Sequence, residues 1–268
     1  MPGSGAAIDG AHGAAPGSGL HVHFDLKLVS SRMVAPTVRH LAFVRGDGAP
    51  LDYVPGQFLQ VHFRYPDGTP TKRSYSIASV REAESGPGDP VELAVSYVPG
   101  GAATDLFEHL HEGQCIEASG PYGRFCLMPN DENRRYLLIA TGTGITPYRA
   151  MLPQLRGLIA ARGVQVVLLF GARHPGELLY GEEFERFAQA NPGFRFVPCF
   201  SRQPRAHPHR DDRRGYVQDV LPEFVPDAET DIAYLCGNPD MVDACFAALK
   251  ERGFPVPRVR REKYVSSR

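Results

Sequence analysis

Four short stretches of this sequence carry residue types whose spacing suits work on a phosphate or a flat aromatic ring. The first, Thr141-Gly142-Thr143-Gly144-Ile145-Thr146-Pro147, follows directly on the apolar run Tyr136–Ala140. Thr146 is expected to cap a helix there and Pro147 to take its first position, where a missing N–H costs little. A strand, a glycine turn and a helix start together aim backbone donors and the positive end of a helix dipole at an anion. A plain tight turn would use the same residues. The second stretch, Cys236-Gly237-Asn238-Pro239, repeats the arrangement after Ile232–Leu235, with Asn238 as the expected cap. A capped helix over a small buried cysteine accounts for it equally well.

The third stretch is Lys72-Arg73-Ser74-Tyr75-Ser76-Ile77, where alternation along a strand puts Arg73 and Tyr75 on one face and Ser74 and Ser76 on the other. An arginine fork grips a phosphate and a neighbouring aromatic offers a stacking surface, although a solvated strand edge is the plainer reading. The fourth, Gly100-Gly101-Ala102-Ala103-Thr104, opens a helical segment and forms a second candidate phosphate nest.

These residues need a scaffold, and two rhythms supply it. Strand-like runs at Phe24–Met33, Thr37–Val44, Gln57–Arg64, Arg73–Ser79, Val91–Val98 and Gln114–Ala118 predict an antiparallel six-stranded barrel, closed or nearly so, interrupted by a helix at Ala102–Leu110. After the polar break Asn130-Asp131-Glu132-Asn133, apolar strands alternate with helices. The strands are Tyr136–Ala140, Val164–Phe170, Phe194–Phe200, Ile232–Cys236 and Val259–Val265. The helices follow Thr146, lie near Glu182–Ala190 and run from Pro239 to Arg252. That alternation predicts a parallel sheet covered on both faces. The expected division is a disordered Gly/Ala/Ser/Pro tail at 1–19, a β-barrel domain at 20–132 and an α/β domain at 133–268.

Composition narrows the function further. The chain has 268 residues with 29 Lys plus Arg against 30 Asp plus Glu, so it lacks the basic field that nucleic-acid binding requires. Its longest apolar runs fall far short of the ~20 residues of a membrane span, and no secretory signal pattern opens the sequence. Cysteines 115, 126, 199, 236 and 245 include no C-x-x-C pair, which argues for reduced thiols in the cytoplasm and against a zinc ribbon or an iron–sulfur cluster, and no metal ligands are expected from the sequence.

Taken together, the four stretches resemble a known family. Arg73-Ser74-Tyr75-Ser76 is similar to the R-x-Y-S flavin signature of the ferredoxin-NADP reductase superfamily, and Gly101–Thr104 to its flavin pyrophosphate turn. Gly142–Pro147 resembles its nicotinamide-side turn G-T-G-I-T/A-P, and Cys236–Pro239 its C-G-x-P turn. Pro55-Gly56-Gln57-Phe58 and Leu178-Leu179-Tyr180 fit the same pattern, in order, over about residues 21–265.

The resemblance implies FAD and NADP as cofactors. Arg73 would hold an FAD phosphate within the signature that includes Ser74, Tyr75 would stack on the isoalloxazine, Ser76 would bond near its N5, and Ile77 would contact it through the backbone. Gly101, Ala102 and Thr104 would cover the pyrophosphate. Gly142, Thr143, Thr146 and Gly237 would take the pyridine dinucleotide, with Cys236 beside the nicotinamide. Glu262 matches by position the family's proton-handling carboxylate. Tyr264 matches its terminal aromatic, although Val265–Arg268 follow as in bacterial subgroups; an ordinary strand residue is the alternative for Tyr264. Ser76, Cys236, Glu262 and Tyr264 are therefore the expected catalytic group. Arg173 and Ser201-Arg202 follow the second and third strands, where an adenosine 2′-phosphate would sit, and no acidic residue stands out at either place, which favours NADPH over NADH.

The implied activity is hydride transfer between NADPH and FAD, with single electrons passed to or from a separate ferredoxin or flavodoxin by a cytoplasmic monomer. The five arginines of the Arg202–Arg214 loop are suited to dock such an acidic carrier, or are simply solvated. Competing readings are an NADH-dependent reductase of an oxygenase or of free flavin, and a flavin-binding electron-transfer subunit that uses no nicotinamide.

Overall fold

The computed structural model describes residues 23–82, 86–128 and 131–265, so the expected tail at 1–19 lies outside the described residues. The first half is an antiparallel sheet of β1 (His23–Ala35), β2 (Val38–Arg45), β3 (Phe58–Arg64), β4 (Pro70–Ser76), β5 (Val91–Ser96) and β6 (Cys115–Tyr122), in the order β4-β3-β6-β1-β2-β5. The two edges meet where Ile77, just past β4, bridges Leu93 of β5, which closes the sheet into the expected barrel. Its interior follows from alternation: Phe24, Leu26 and Leu28 point inward while His23, Asp25 and Lys27 face out. Helix α1 (Ala102–His109) plugs the barrel with Phe107, which joins the core of Leu41, Phe43, Leu59 and Leu93.

The second half is a wholly parallel sheet in the order β10-β9-β8-β7-β11-β12. Its strands are β7 (Arg135–Thr141), β8 (Gln165–Ala172), β9 (Phe194–Phe200), β10 (Arg213–Arg214), β11 (Asp231–Gly237) and β12 (Val259–Lys263). The helices between them are α2 (Thr146–Arg162), α3 (Gly181–Ala190), α4 (Val217–Val220) and α5 (Pro239–Glu251). Along β7, Tyr136, Leu138 and Ala140 enter one core while Leu137 and Ile139 enter the other, as a strand covered on both faces requires. The two-residue β10 and the one-turn α4 are too short to leave a periodic trace in the sequence. No helix among the described residues is long and apolar enough to cross a membrane.

Between the halves, barrel residues Val38, Ala94 and Phe125 pack into the same core as Tyr148, Met151 and Tyr234 of the α/β half. At its edge lies a buried cation. The Arg149 guanidinium, on α2, donates to the Ala78 carbonyl at 2.6 Å, to Glu92 of β5 at 2.5 Å and to Glu183 of α3 at 2.8 Å. It also lies 4.7 Å from the centre of the Tyr180 ring, whose hydroxyl is 2.9 Å from His40 Nδ1 on β2. Burial pushes the Glu92 carboxyl up, but His40 and Arg149 outweigh it and hold the group down at about 2. A carboxyl depressed in this way stabilises the fold above its unfolded value of 4.5, and the contribution fades as pH falls towards 2. Glu92→Gln is expected to cost up to about 3 kcal/mol of unfolding free energy at pH 7, with the difference from the unsubstituted protein shrinking below pH ~4.5; urea denaturation across that range measures it.

Candidate functional site

The parallel sheet reverses its strand order between β7 and β11, and ligands of open α/β sheets bind beyond the carboxyl ends of the strands at such a point. Here the two turns leaving β7 and β11 touch backbone to backbone. A Cβ on Gly144 would stand 2.3 Å from the Cys236 carbonyl oxygen, and one on Gly237, whose φ is +128°, would stand 2.5 Å from the Thr141 carbonyl oxygen. The Asn238 N–H donates to Thr141 Oγ1 at 3.0 Å, and the Asn238 side chain caps α5 by accepting from Asp240 and Met241, as expected.

The cap expected at Thr146 is different. Gly142–Ile145 already winds as a 3₁₀ turn, so Thr146 is the first residue of α2 with helical backbone, and Pro147 is the second. Its buried hydroxyl donates to the Thr143 carbonyl at 2.8 Å instead of accepting from the helix.

This pair of turns separates two clefts. One, of about 440 Å³, lies between the barrel and the chain's C-terminal segment and is lined by Arg73, Ser74, Tyr75, Ser76, Gly101, Thr104, Glu262 and Tyr264. Thr143 and Thr146 also open onto this barrel-side cleft, whereas Thr141 and Gly142 open onto the other. Tyr75 is held edge-on by Phe107, with ring centres 5.3 Å apart. Arg73 donates to Tyr65 Oη, Thr71 Oγ1 and the Lys72 carbonyl, which fixes its fork at the rim. Gly101 precedes α1 with no side-chain cap, so the N–H groups of Ala102–Thr104 have no partner among the described residues. The Thr104 hydroxyl is committed to both backbone atoms of Val98, which leaves only its main chain for a ligand. Ala103, not Ala102, lines the cleft. Ile77 is buried in the barrel core, and its N–H is bonded to the Gln57 carbonyl at 3.0 Å.

Of the four expected catalytic residues, Ser76, Glu262 and Tyr264 line this cleft from two distant parts of the chain, and Cys236 is buried beside them. Cys236 and Glu262 are register partners across β11 and β12. Tyr264 lies just past the end of β12, not within a strand; its N–H donates to the Gly237 carbonyl at 2.8 Å and its hydroxyl bonds Ser76 Oγ. Tyr264 also packs against the core that contains Cys236, whose thiol is fully buried. Burial, with the charge of Glu262 adding to it, pushes the Cys236 thiol far up, so it is no nucleophile. Burial likewise raises the Glu262 carboxyl to about 7, against a smaller opposing pull from the Ser76 hydroxyl. A carboxyl so placed can hold or release a proton near neutrality.

The second cleft, of about 470 Å³, is lined by Thr141, Gly142, Arg173, Glu177, Ser201, Tyr216, Asn238 and Asp240, among others. The loops of Arg173 and Arg202 are joined, since the Arg202 and Gln203 N–H groups both donate to the Arg173 carbonyl. An acidic residue does stand here, contrary to the sequence reading. The turn at Pro175–Glu177 folds back so that Glu177 accepts the Arg173 backbone N–H at 3.1 Å and grips its guanidinium with both oxygens. Arg202 is exposed and has no side-chain partner among the described residues. Of the other arginines of this loop, Arg205 is paired with Glu185 at 2.5 Å and Arg213 with Glu223 at 2.8 Å. Sequence reasoning missed Glu177, Tyr216, Asp240 and the whole Arg149 cluster; the spacing of four between Arg173 and Glu177 was the one available signal.

Comparison with known proteins agrees with this geometry. Residues 25–126 match the family model of the oxidoreductase FAD-binding domain and residues 138–246 that of the oxidoreductase NAD-binding domain. The chain is 35% identical to ferredoxin--NADP reductase B of Sorangium cellulosum, over 90% of this chain and 97% of that protein. It is also 35% identical to the reductase subunit of an aromatic O-demethylase from Amycolatopsis, of whose length it covers 63%. Among solved structures, the Amycolatopsis cytochrome P450 reductase GcoB superimposes with a TM-score of 0.77 at 32% identity, over 92% of this chain and 72% of that one. A ferredoxin NADP+ reductase from Neisseria gonorrhoeae with bound FAD and NADP shares the fold, with a TM-score of 0.75 at 22% identity over 90% and 98% of the two chains.

The raised Glu262 carboxyl has a consequence for stability. Above its unfolded value of 4.5 the buried group resists ionisation and penalises the folded state, and below that value both states hold the proton. Glu262→Gln is therefore expected to raise the melting temperature at pH 8 and leave it unchanged near pH 4.5; an equal effect at both would contradict the burial of the charge.

Proposed function

We propose, for a chain that belongs to the ferredoxin-NADP reductase superfamily of FAD- and NAD-binding oxidoreductases, that it moves a hydride between NADPH and FAD and exchanges single electrons with a separate ferredoxin or flavodoxin. The observation that carries this reading is the meeting of Ser76, Cys236, Glu262 and Tyr264 where the barrel cleft reaches the switch point of the sheet. The division into a flavin half at 20–132 and a nucleotide half at 133–268 is part of the same proposal.

The barrel-side cleft fits FAD. The open N–H groups at Ala102–Thr104 and the anchored Arg73 suit its phosphates, and Tyr75, fixed by Phe107, suits its flat ring. When bound, FAD would accept the hydride pair and release electrons singly. The protein's part is orientation and proton management. Tyr264 keeps water from Cys236, a nicotinamide ring reaching Cys236 has to displace Tyr264, and Glu262 holds a proton beside Ser76.

The choice of NADPH rests on Arg202, a cation without a side-chain partner among the described residues, whose loop is bonded to that of Arg173. Glu177 favours a second reading, in which a carboxylate beside the adenosine ribose accepts from a 2′-hydroxyl and NADH is the substrate. An anaerobic titration that follows the flavin band with each dinucleotide separates them: bleaching at much lower NADPH supports the first reading, bleaching at much lower NADH the second. A flavoprotein bleached by neither would point to an electron-transfer subunit. Arg202→Ala is expected to weaken NADPH binding about tenfold and leave NADH binding nearly unchanged; equal losses would remove the 2′-phosphate assignment.

A further inference from the structure

On the outer wall of the barrel, three adjacent strands bring together side chains that the proposed reaction does not use. His62 of β3 is directly opposite Glu117 of β6, while across β6 and β1 Glu117 faces Asp25 and Ser119 faces His23. Alternation along the strands therefore puts His23, His62 and Glu117 on one face. One donor atom from each lies within 4.8 Å of the others. His23 Nδ1 is 2.6 Å from Glu117 Oε1, and the two imidazole rings stand 4.7 Å apart at 39°.

We propose that His23, His62 and Glu117 form a binding site for one divalent transition ion of the zinc class. Two imidazoles and a carboxylate are an established three-ligand set for zinc, with water in the fourth position. Calcium and magnesium require more oxygen ligands than this wall offers, and the absence of a thiolate from the set gives soft ions no advantage. Zinc bonds of about 2.0–2.1 Å need the His23–Glu117 hydrogen bond to open and the more distant donors to close in, and the two that must move can do so: the side chains of His23 and Glu117 are 57% and 55% exposed. His62 is the anchored member, with Nε2 2.7 Å from Ser119 Oγ, which in turn accepts from the Tyr122 hydroxyl at 3.0 Å. Such outer contacts orient a ligating imidazole. Asp25, opposite Glu117, adds negative charge, and Lys72, opposite His62 on β4, opposes it. The bound ion would tie the beginning of β1 to β3 and β6. The proposal is independent of which dinucleotide or carrier the protein uses.

The test uses the untagged full chain, stripped with a chelator and titrated with Zn²⁺ against a chromophoric competitor, with thermal unfolding read in parallel. The expected result is one ion per chain at micromolar affinity and a melting temperature raised by several degrees at a hundredfold excess over the dissociation constant. His62→Asn and Glu117→Gln should each weaken binding at least about tenfold. His23→Asn, at an exposed position where folding is not at risk, should do the same. His209→Asn and Cys115→Ser should leave it intact. Absence of stoichiometric binding below about 100 μM, retention of binding in the first three variants, or its loss in either of the last two would overturn the proposal.

Discussion

The buried guanidinium of Arg149 is the contact on which the working geometry depends. Taking a cation out of water costs several kcal/mol, and this one is compensated only because two carboxylates and a carbonyl converge on it from both halves of the molecule. An arginine fork is directional, so these bonds fix rotation as well as distance between barrel and sheet. The Tyr180–His40 bond adds a second point of registration beside it. Both clefts lie along that junction, and their widths follow from it. A lysine at the same position would keep the charge and lose the planar fork.

The contact between the two glycine turns explains why the motifs read from the sequence take the form they do. Gly144 faces the Cys236 carbonyl and Gly237 faces Thr141 at distances no side chain could occupy, so each turn is shaped as much by the other as by any ligand. This close approach brings the ends of β7 and β11 near enough for Thr141 to accept from Asn238. The same packing turns Thr143 and Thr146 towards the barrel while Gly142 faces the other cleft. One motif therefore serves two clefts.

What was legible in the sequence was what local periodicity encodes. Alternation gave the barrel strands, continuous apolar runs gave the parallel sheet, and the cap at Asn238 followed from side-chain chemistry alone. The convergence of Ser76, Cys236, Glu262 and Tyr264 was reached through family resemblance and is matched by their placement. The Arg149 cluster was not legible, because His40, Glu92, Arg149 and the Tyr180–Glu183 start of α3 come from four elements far apart in the sequence. Glu177 escaped because it meets Arg173 through a folded-back turn, where a helical interval arises without a helix. Thr146 was misjudged as a cap because a 3₁₀ turn begins the winding one turn earlier than the threonine–proline pair suggests.

The burial of Cys236 in the core that Tyr264 packs against also decides how this sulfur ages. Oxidants and alkylating agents attack thiolates far faster than thiols, and burial holds Cys236 in the thiol form. On the proposed function, this keeps a sulfur beside the flavin cleft without losing it to sulfenic acid. On that proposal a nicotinamide has to lift Tyr264 to reach the sulfur, so the cysteine would be open to damage only while the site turns over, and inactivation should track use more closely than time.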